Sequence, residues 1–227
     1  MSNYHGLGFF ICESGKLVVS DPCYGRKHLE EDKRNLNIAT ILHGVLVGRY
    51  GAVVHRHRNT NKDLTIWHLD SYEGQDVTQL PWMQYSGEGG EKQNLVICVD
   101  SGQAGFFEES KYPISDENTG DSEDKSSFYG IACYITLNTA WGAGIIGASP
   151  TTGMGVVSQS GQGDGGYTLY VQRDVFGNII AARLDFVDET ADEDDDDVDV
   201  DVDVDVDVDD VDMDADVDDE EIDIINE

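Results

Sequence analysis

No lysine or arginine follows Arg183, and the stretch from Glu189 to Glu227 carries 23 aspartates and glutamates. This run limits where a fold can lie. Val198 to Val208 alternates strictly with aspartate, which has the period of a strand. Aspartates facing one another across a sheet would repel, however. With only valines to bury, such a segment cannot offset its ordering entropy. Residues 189–227 are therefore expected to be a disordered acidic tail, and any fold should be complete by Asp188.

The tail also accounts for most of the charge. The whole chain has a formal net charge of −32, and the tail supplies −23 of it, leaving −9 on residues 1–188. That body fits one domain. It is large enough to bury roughly 70% of the surface of its unfolded chain and needs no cross-link to fold. Cys12, Cys98 and Cys133 sit in the apolar runs FFIC, LVICV and YGIACYI, and no CxxC pair exists. All four cysteines read as reduced thiols. The N-terminus lacks the charged and apolar regions of a signal peptide, and no apolar run reaches 18 residues. The expectation is a cytoplasmic protein that neither crosses a membrane nor binds nucleic acid, whose phosphates would repel it.

The apolar runs of the body are short and rich in β-branched and aromatic residues. Leu7–Cys12 and Leu17–Ser20 read as a hairpin closed by Glu13-Ser14-Gly15-Lys16. Lys27–Asn35 reads as a short helix or a loop. Asn37–Val54 holds two strands, with Gly51 as the break. Leu64–Leu69, Leu95–Val99, Gly153–Ser158, Tyr167–Arg173 and Ile179–Phe186 are further strands, the last two joined through Phe176-Gly177-Asn178. Ser71–Gln93 is mostly loop. Ser126–Leu137 is ambiguous, since Phe128, Ala132 and Cys133 suit a helix but Tyr134-Ile135-Thr136 suits a strand. The predicted class is mostly β, or β-rich α+β, with antiparallel hairpins and no βαβ rhythm.

Several motifs have ordinary explanations. Gly142–Gly147 and Gly161–Gly166 both match G-x-G-x-x-G, but neither is placed to open a helix, as a dinucleotide site requires. His55 and His57 would share one face of a strand and could begin a zinc site; a polar strand end is the simpler reading. Asp116–Asp124 is rich in carboxylates but lacks the spacing of an EF-hand.

Three loops stand apart. Ser20-Asp21-Pro22-Cys23-Tyr24 follows a strand. So does Asp100-Ser101-Gly102-Gln103-Ala104-Gly105. The third, Ser158 to Tyr167, precedes a strand. Each places an aspartate beside small residues at a strand end, where function concentrates on rigid scaffolds. Three converging aspartates could hold a divalent cation or supply a general base, and Cys23 could act as a nucleophile. Taken alone, each aspartate also fits as a cap of its own turn.

The segments GKLVVSDPCY, VDSGQAGFF, VVSQSGQGDGGYTLYV and NIIAARLDF together resemble the DUF4241 family, a group of bacterial and phage-associated proteins. The resemblance spans residues 7–187 and implies a single domain. It implies no activity and no catalytic residues.

The expectation is therefore a module that binds a small molecule or divalent cation. Its pocket would be built from Asp21, Cys23, Tyr24, Asp100, Ser101, Gln103, Asp164 and Tyr167, and no cofactor is assigned. Two alternatives remain open at this stage. One is a hydrolase using an aspartate-bound metal or Cys23. The other is an interaction protein, in immunity or phage counter-defence, whose acidic tail occupies a basic protein surface.

Overall fold

A computed structural model describes residues 2–27, 39–71, 81–87, 95–147 and 153–186. Met1–Asp192 forms one compact unit. The acidic tail, most of the Lys27–Asn35 segment and much of Ser71–Gln93 lie outside the described residues.

The domain is mostly β, with two antiparallel sheets. The larger sheet runs β1 (Ser2–Cys12), β4 (Gly48–His57), β5 (Thr60–His68), β12 (Ile179–Asp185), β11 (Gly165–Arg173) and β6 (Met83–Gln84), and β7 (Val96–Val99) also pairs with β11. The smaller sheet runs β3 (Ala39–His43), β2 (Lys16–Ser20), β8 (Gln103–Glu108), β10 (Gly155–Gln159) and β9 (Ala143–Ile146). A helical turn α1 (Asp116–Thr119) and a helix α2 (Phe128–Asn138) complete the described elements used below. No helix among the described residues is long and apolar enough to cross a membrane.

Alternation decides which side chains meet. Leu17 and Val19 of β2, Ala104 and Phe106 of β8 and Val156 of β10 point into one core. They meet Phe10, Tyr50, Leu64, Ile66, Leu169 and Leu184 from the larger sheet. The intervening residues Val18, Phe107 and Val157 point the other way, against Phe128 and Ala132 of α2. The central strands β2, β8 and β10 of the smaller sheet are thus buried on both faces. This explains the unbroken apolar runs Leu17–Val19, Phe106–Phe107 and Val156–Val157 at their centres.

The expected hairpin of Leu7–Cys12 with Leu17–Ser20 does not form. β1 pairs with β4 and β2 with β3 and β8, so the turn between them carries the chain from one sheet to the other. The turn is held by the buried Glu108 of β8, whose carboxylate accepts the backbone N–H groups of Glu13 (2.9 Å) and Ser14 (3.1 Å). Burial raises the pKa of Glu108, but these bonds and those from Ser110 outweigh it and hold the carboxyl below its usual range.

Gly51 is not a strand break either. It lies inside β4, where a Cβ would come within 2.7 Å of the Trp67 ring, and the break falls between His43 and Gly48. The ambiguous Ser126–Leu137 segment resolves as α2. Ser127 caps it by accepting the Gly130 N–H at 3.0 Å, and the stripe Phe128, Ala132 and Thr136 is buried. Burial on a helical stripe prevails over the β-propensity of Tyr134-Ile135-Thr136. The β11–β12 hairpin forms through Phe176-Gly177-Asn178 as expected. Gln103-Ala104-Gly105, expected as loop, opens β8. Of the two glycine motifs, the first forms β9 and the second leads into β11. All four cysteines are unpaired.

Candidate functional site

The first loop leaves the end of β2, and its aspartate is wholly buried. Asp21 Oδ1 accepts the Cys23 N–H (2.9 Å) and the Ser101 hydroxyl (2.7 Å), while Oδ2 accepts the N–H groups of Asp100 (2.9 Å) and Ser101 (2.7 Å). Asp21 is therefore a joint between the first and second loops. Both of its oxygens accept from donors of the chain itself. The Tyr24 hydroxyl donates to the Asp100 carboxylate, and Tyr112, from below, donates to the Tyr24 carbonyl at 2.7 Å.

The second and third loops are also joined. Ser160 N–H donates to the Gly102 carbonyl at 3.0 Å, where β8 and β10 pair Gln103 with Gln159. Within the third loop, Ser160 and Tyr167 both donate to the Gly163 carbonyl, and the Tyr167 ring packs edge-on against Phe186. Tyr167 is a brace, and burial raises its pKa. Gly161, at φ +73°, passes so close to β5 that a Cβ would lie 2.3 Å from the Asn61 carbonyl. Asp164 is exposed on this loop. The loops meet at these hydrogen bonds. Among the described residues no three His, Cys, Asp or Glu side chains are grouped to hold a metal.

Between the second loop, the third loop and α2 lies a cleft of about 350 Å³. Ser101, Gly102 and Gln103 form one wall, Gln159, Ser160, Gly161 and Gly163 another, and Tyr129, Cys133, Thr136 and Leu137 of α2 the third. Gln103 is 6% exposed. Its Nε2 donates to Cys133 Sγ at 3.2 Å, and its Oε1, buried, has no hydrogen-bond partner among the described residues. Burial first, then the Cys133 thiol, pushes the pKa of Tyr129 up to about 12. Gln159 Nε2 donates to the Thr136 carbonyl at 3.1 Å, tying the end of α2 to β10.

Of the residues singled out in the sequence, Ser101 and Gln103 line this cleft, whereas Asp21, Tyr24 and Tyr167 support it from behind. Cys23 is half-buried, and its thiol is pushed up by burial and then by the negative charge of Asp21. That is the wrong direction for a nucleophile at neutral pH. The contribution of α2 escaped the sequence reading. A helical assignment of Ser126–Leu137 would have placed Tyr129, Cys133 and Thr136 on one stripe, three or four residues apart.

The remaining motifs are structural. His55 Nδ1 lies 2.9 Å from Asp63 across β4 and β5, and its ring stacks on Tyr4. In the Asp116–Asp124 segment, Asp116 accepts the Gly25 N–H, while Asp121 and Asp124 accept backbone N–H groups two residues on.

No protein-family model, curated protein or solved structure matches the chain.

Proposed function

We propose that this domain binds a small molecule in the cleft between the start of β8, the β10–β11 loop and α2. One observation carries the reading: Gln103, which lines the cleft, holds a side-chain oxygen that is buried without a partner among the described residues. A buried polar atom left unsatisfied costs roughly 1–3 kcal/mol, a cost that a ligand's donor would remove. The volume, about 350 Å³, falls in the range of small-molecule sites, roughly 300–1,000 Å³. Bare backbone at Gly102, Gly161 and Gly163 lets a ligand approach closely.

A thermal-shift screen of the full chain against metabolite-sized compounds tests the reading. A compound at a hundred times its Kd stabilises the native state by roughly 2.7 kcal/mol. Leu137, 76% exposed at the rim of the cleft, provides the control. Leu137→Trp should leave the unliganded midpoint in place and abolish the shift. A screen with no shift, or with shifts indifferent to Leu137→Trp, would reject the cleft as the site.

A further inference from the structure

Helix α2 carries apolar side chains on both sides. On its inner side Phe128 and Ala132 are buried against the smaller sheet. On its outer side are Tyr134 and Leu137, three residues apart and so neighbours on one face. They are 49% and 76% exposed. Trp141, three residues past the helix, is exposed too.

The charges around this stripe are sorted by end. Asp121, Glu123 and Asp124, all exposed, lie at the N-terminal end. Ser127 Oγ is 2.8 Å from the carbonyls of Asp121 and Asp124, which holds their turn against the start of the helix. Arg56 and Arg58 of the β4–β5 hairpin lie at the C-terminal end, where Arg56 donates to the Ala140 carbonyl at 2.8 Å. Lys125 departs from the sorting, with its ammonium 4.9 Å over the Tyr134 ring. Asp121 and Asp124 accept N–H groups of their own turns, and Arg56 is fixed to Ala140 and Asn59. Glu123 and Arg58 have no such task. Both are exposed, and neither side chain makes a hydrogen bond or ion pair among the described residues.

A patch that is acidic at one end, apolar in the middle and basic at the other complements itself when turned about a twofold axis. Two such helices laid antiparallel cover the Tyr134–Leu137 stripes of each other and set each acidic end against a basic one. Laid parallel, they would set like charges together. We propose that this face of α2 docks a second copy of the chain in that antiparallel, twofold arrangement, the isologous geometry of a closed dimer. The formal net charge of −32 opposes it only weakly in physiological salt, where exposed charges more than about 8 Å apart are largely screened. One helix face with the turns at its ends is at the small end of specific interfaces, so the association is weak and concentration-dependent. The dimer does not rest on the reading of the cleft, since Tyr134 is not among the residues that line it.

Sedimentation equilibrium of the full chain in physiological salt tests the proposal. The weight-average mass should climb from one chain toward two as concentration rises. Tyr134→Glu should weaken self-association at least about tenfold, the scale of a central interface residue. Arg58→Glu and Glu123→Arg should each weaken it as well. The double variant Arg58→Glu/Glu123→Arg should recover the parent's association, because opposite charges meet again with their signs exchanged. The charge variants serve alone if Tyr134→Glu does not fold. A chain that stays monomeric at every concentration would overturn the proposal, as would a double variant no better than its single parents. Association that survives Tyr134→Glu but is lost in Phe176→Ser would overturn it too, placing the contact at the β11–β12 turn, where Val175 and Phe176 are exposed.

Discussion

Asp21 and Ser101 are joined twice: the carboxylate accepts the Ser101 backbone N–H and the Ser101 hydroxyl, each at 2.7 Å. The two residues are 80 positions apart, on different strands' ends. This pair of hydrogen bonds couples one wall of the cleft to the interior, because Ser101 is one of its lining residues. Asp21, wholly buried, therefore holds one wall of the cleft in place.

Asp21→Asn should be strongly destabilising. The amide would turn an NH₂ group toward backbone N–H donors that now point at a carboxylate. Hydrogen bonds to a charged group contribute about 1.5–3 kcal/mol each, so a loss of about 2–4 kcal/mol is expected. Urea denaturation of the full chain would measure it as a lower midpoint at unchanged slope. A midpoint within error of the parent would mean that the joint contributes little.

Glu108 predicts a pH dependence. Its folded pKa is depressed, so its contribution is fully present above the unfolded value of about 4.3 and is lost as pH falls through the lower folded value. Glu108→Gln removes the titrating group. Below about pH 4.3, its unfolding midpoint should fall less steeply with acid than the parent's. At neutral pH the variant should be the less stable protein, with the β1–β2 crossover loosened first. Parallel curves for the two proteins across that acid range would contradict the linkage.

Cys23 should be a slow thiol. Burial and the charge of Asp21 hold it protonated at neutral pH, and only the thiolate is nucleophilic. Alkylation of the native protein by iodoacetamide at pH 7, read by mass spectrometry of peptides, should leave Cys23 largely unmodified while the unfolded chain reacts. The native rate should keep rising with pH past the range of an ordinary cysteine. Rapid modification at pH 7 would revive Cys23 as a nucleophile.

Gly161→Ala should loosen the third loop. At φ +73° alanine is strained, and its Cβ would lie 2.3 Å from a strand carbonyl that cannot swing aside. Overpacking of this kind costs typically 1–3 kcal/mol. Thermal unfolding should register that loss, and any ligand of the cleft should bind more weakly, because Ser160 and Gly163 flank the substituted residue. An unchanged midpoint would show that the loop can move away from Asn61 without penalty.

Much of the architecture can be read from local pattern. Strand-length runs of β-branched residues, the turn at Phe176-Gly177-Asn178 and the absence of βαβ rhythm point to an antiparallel β protein. The runs LVVS and GVVSQ even carry the mark of a sheet buried on both faces, since no polar side alternates with the apolar one. The three strand-end loops were visible for the same reason, as local concentrations of aspartate, serine and glycine between apolar segments.

Those local patterns determined which segments become strands and where turns fall, because periodicity and backbone preference act over a few residues. Partnership was decided only by the tertiary structure. Leu7–Cys12 and Leu17–Ser20 look like two arms of a hairpin, yet Glu108, more than 90 residues away, holds the turn between them and directs them into different sheets. The N–H groups of Asp100 and Ser101, some 80 residues on, close on Asp21. The α2 wall of the cleft exists because Phe128 and Ala132 find Val18, Phe107 and Val157 beneath them. Burial and buried hydrogen bonds between distant residues are collective, and they choose among local alternatives that the chain leaves nearly balanced.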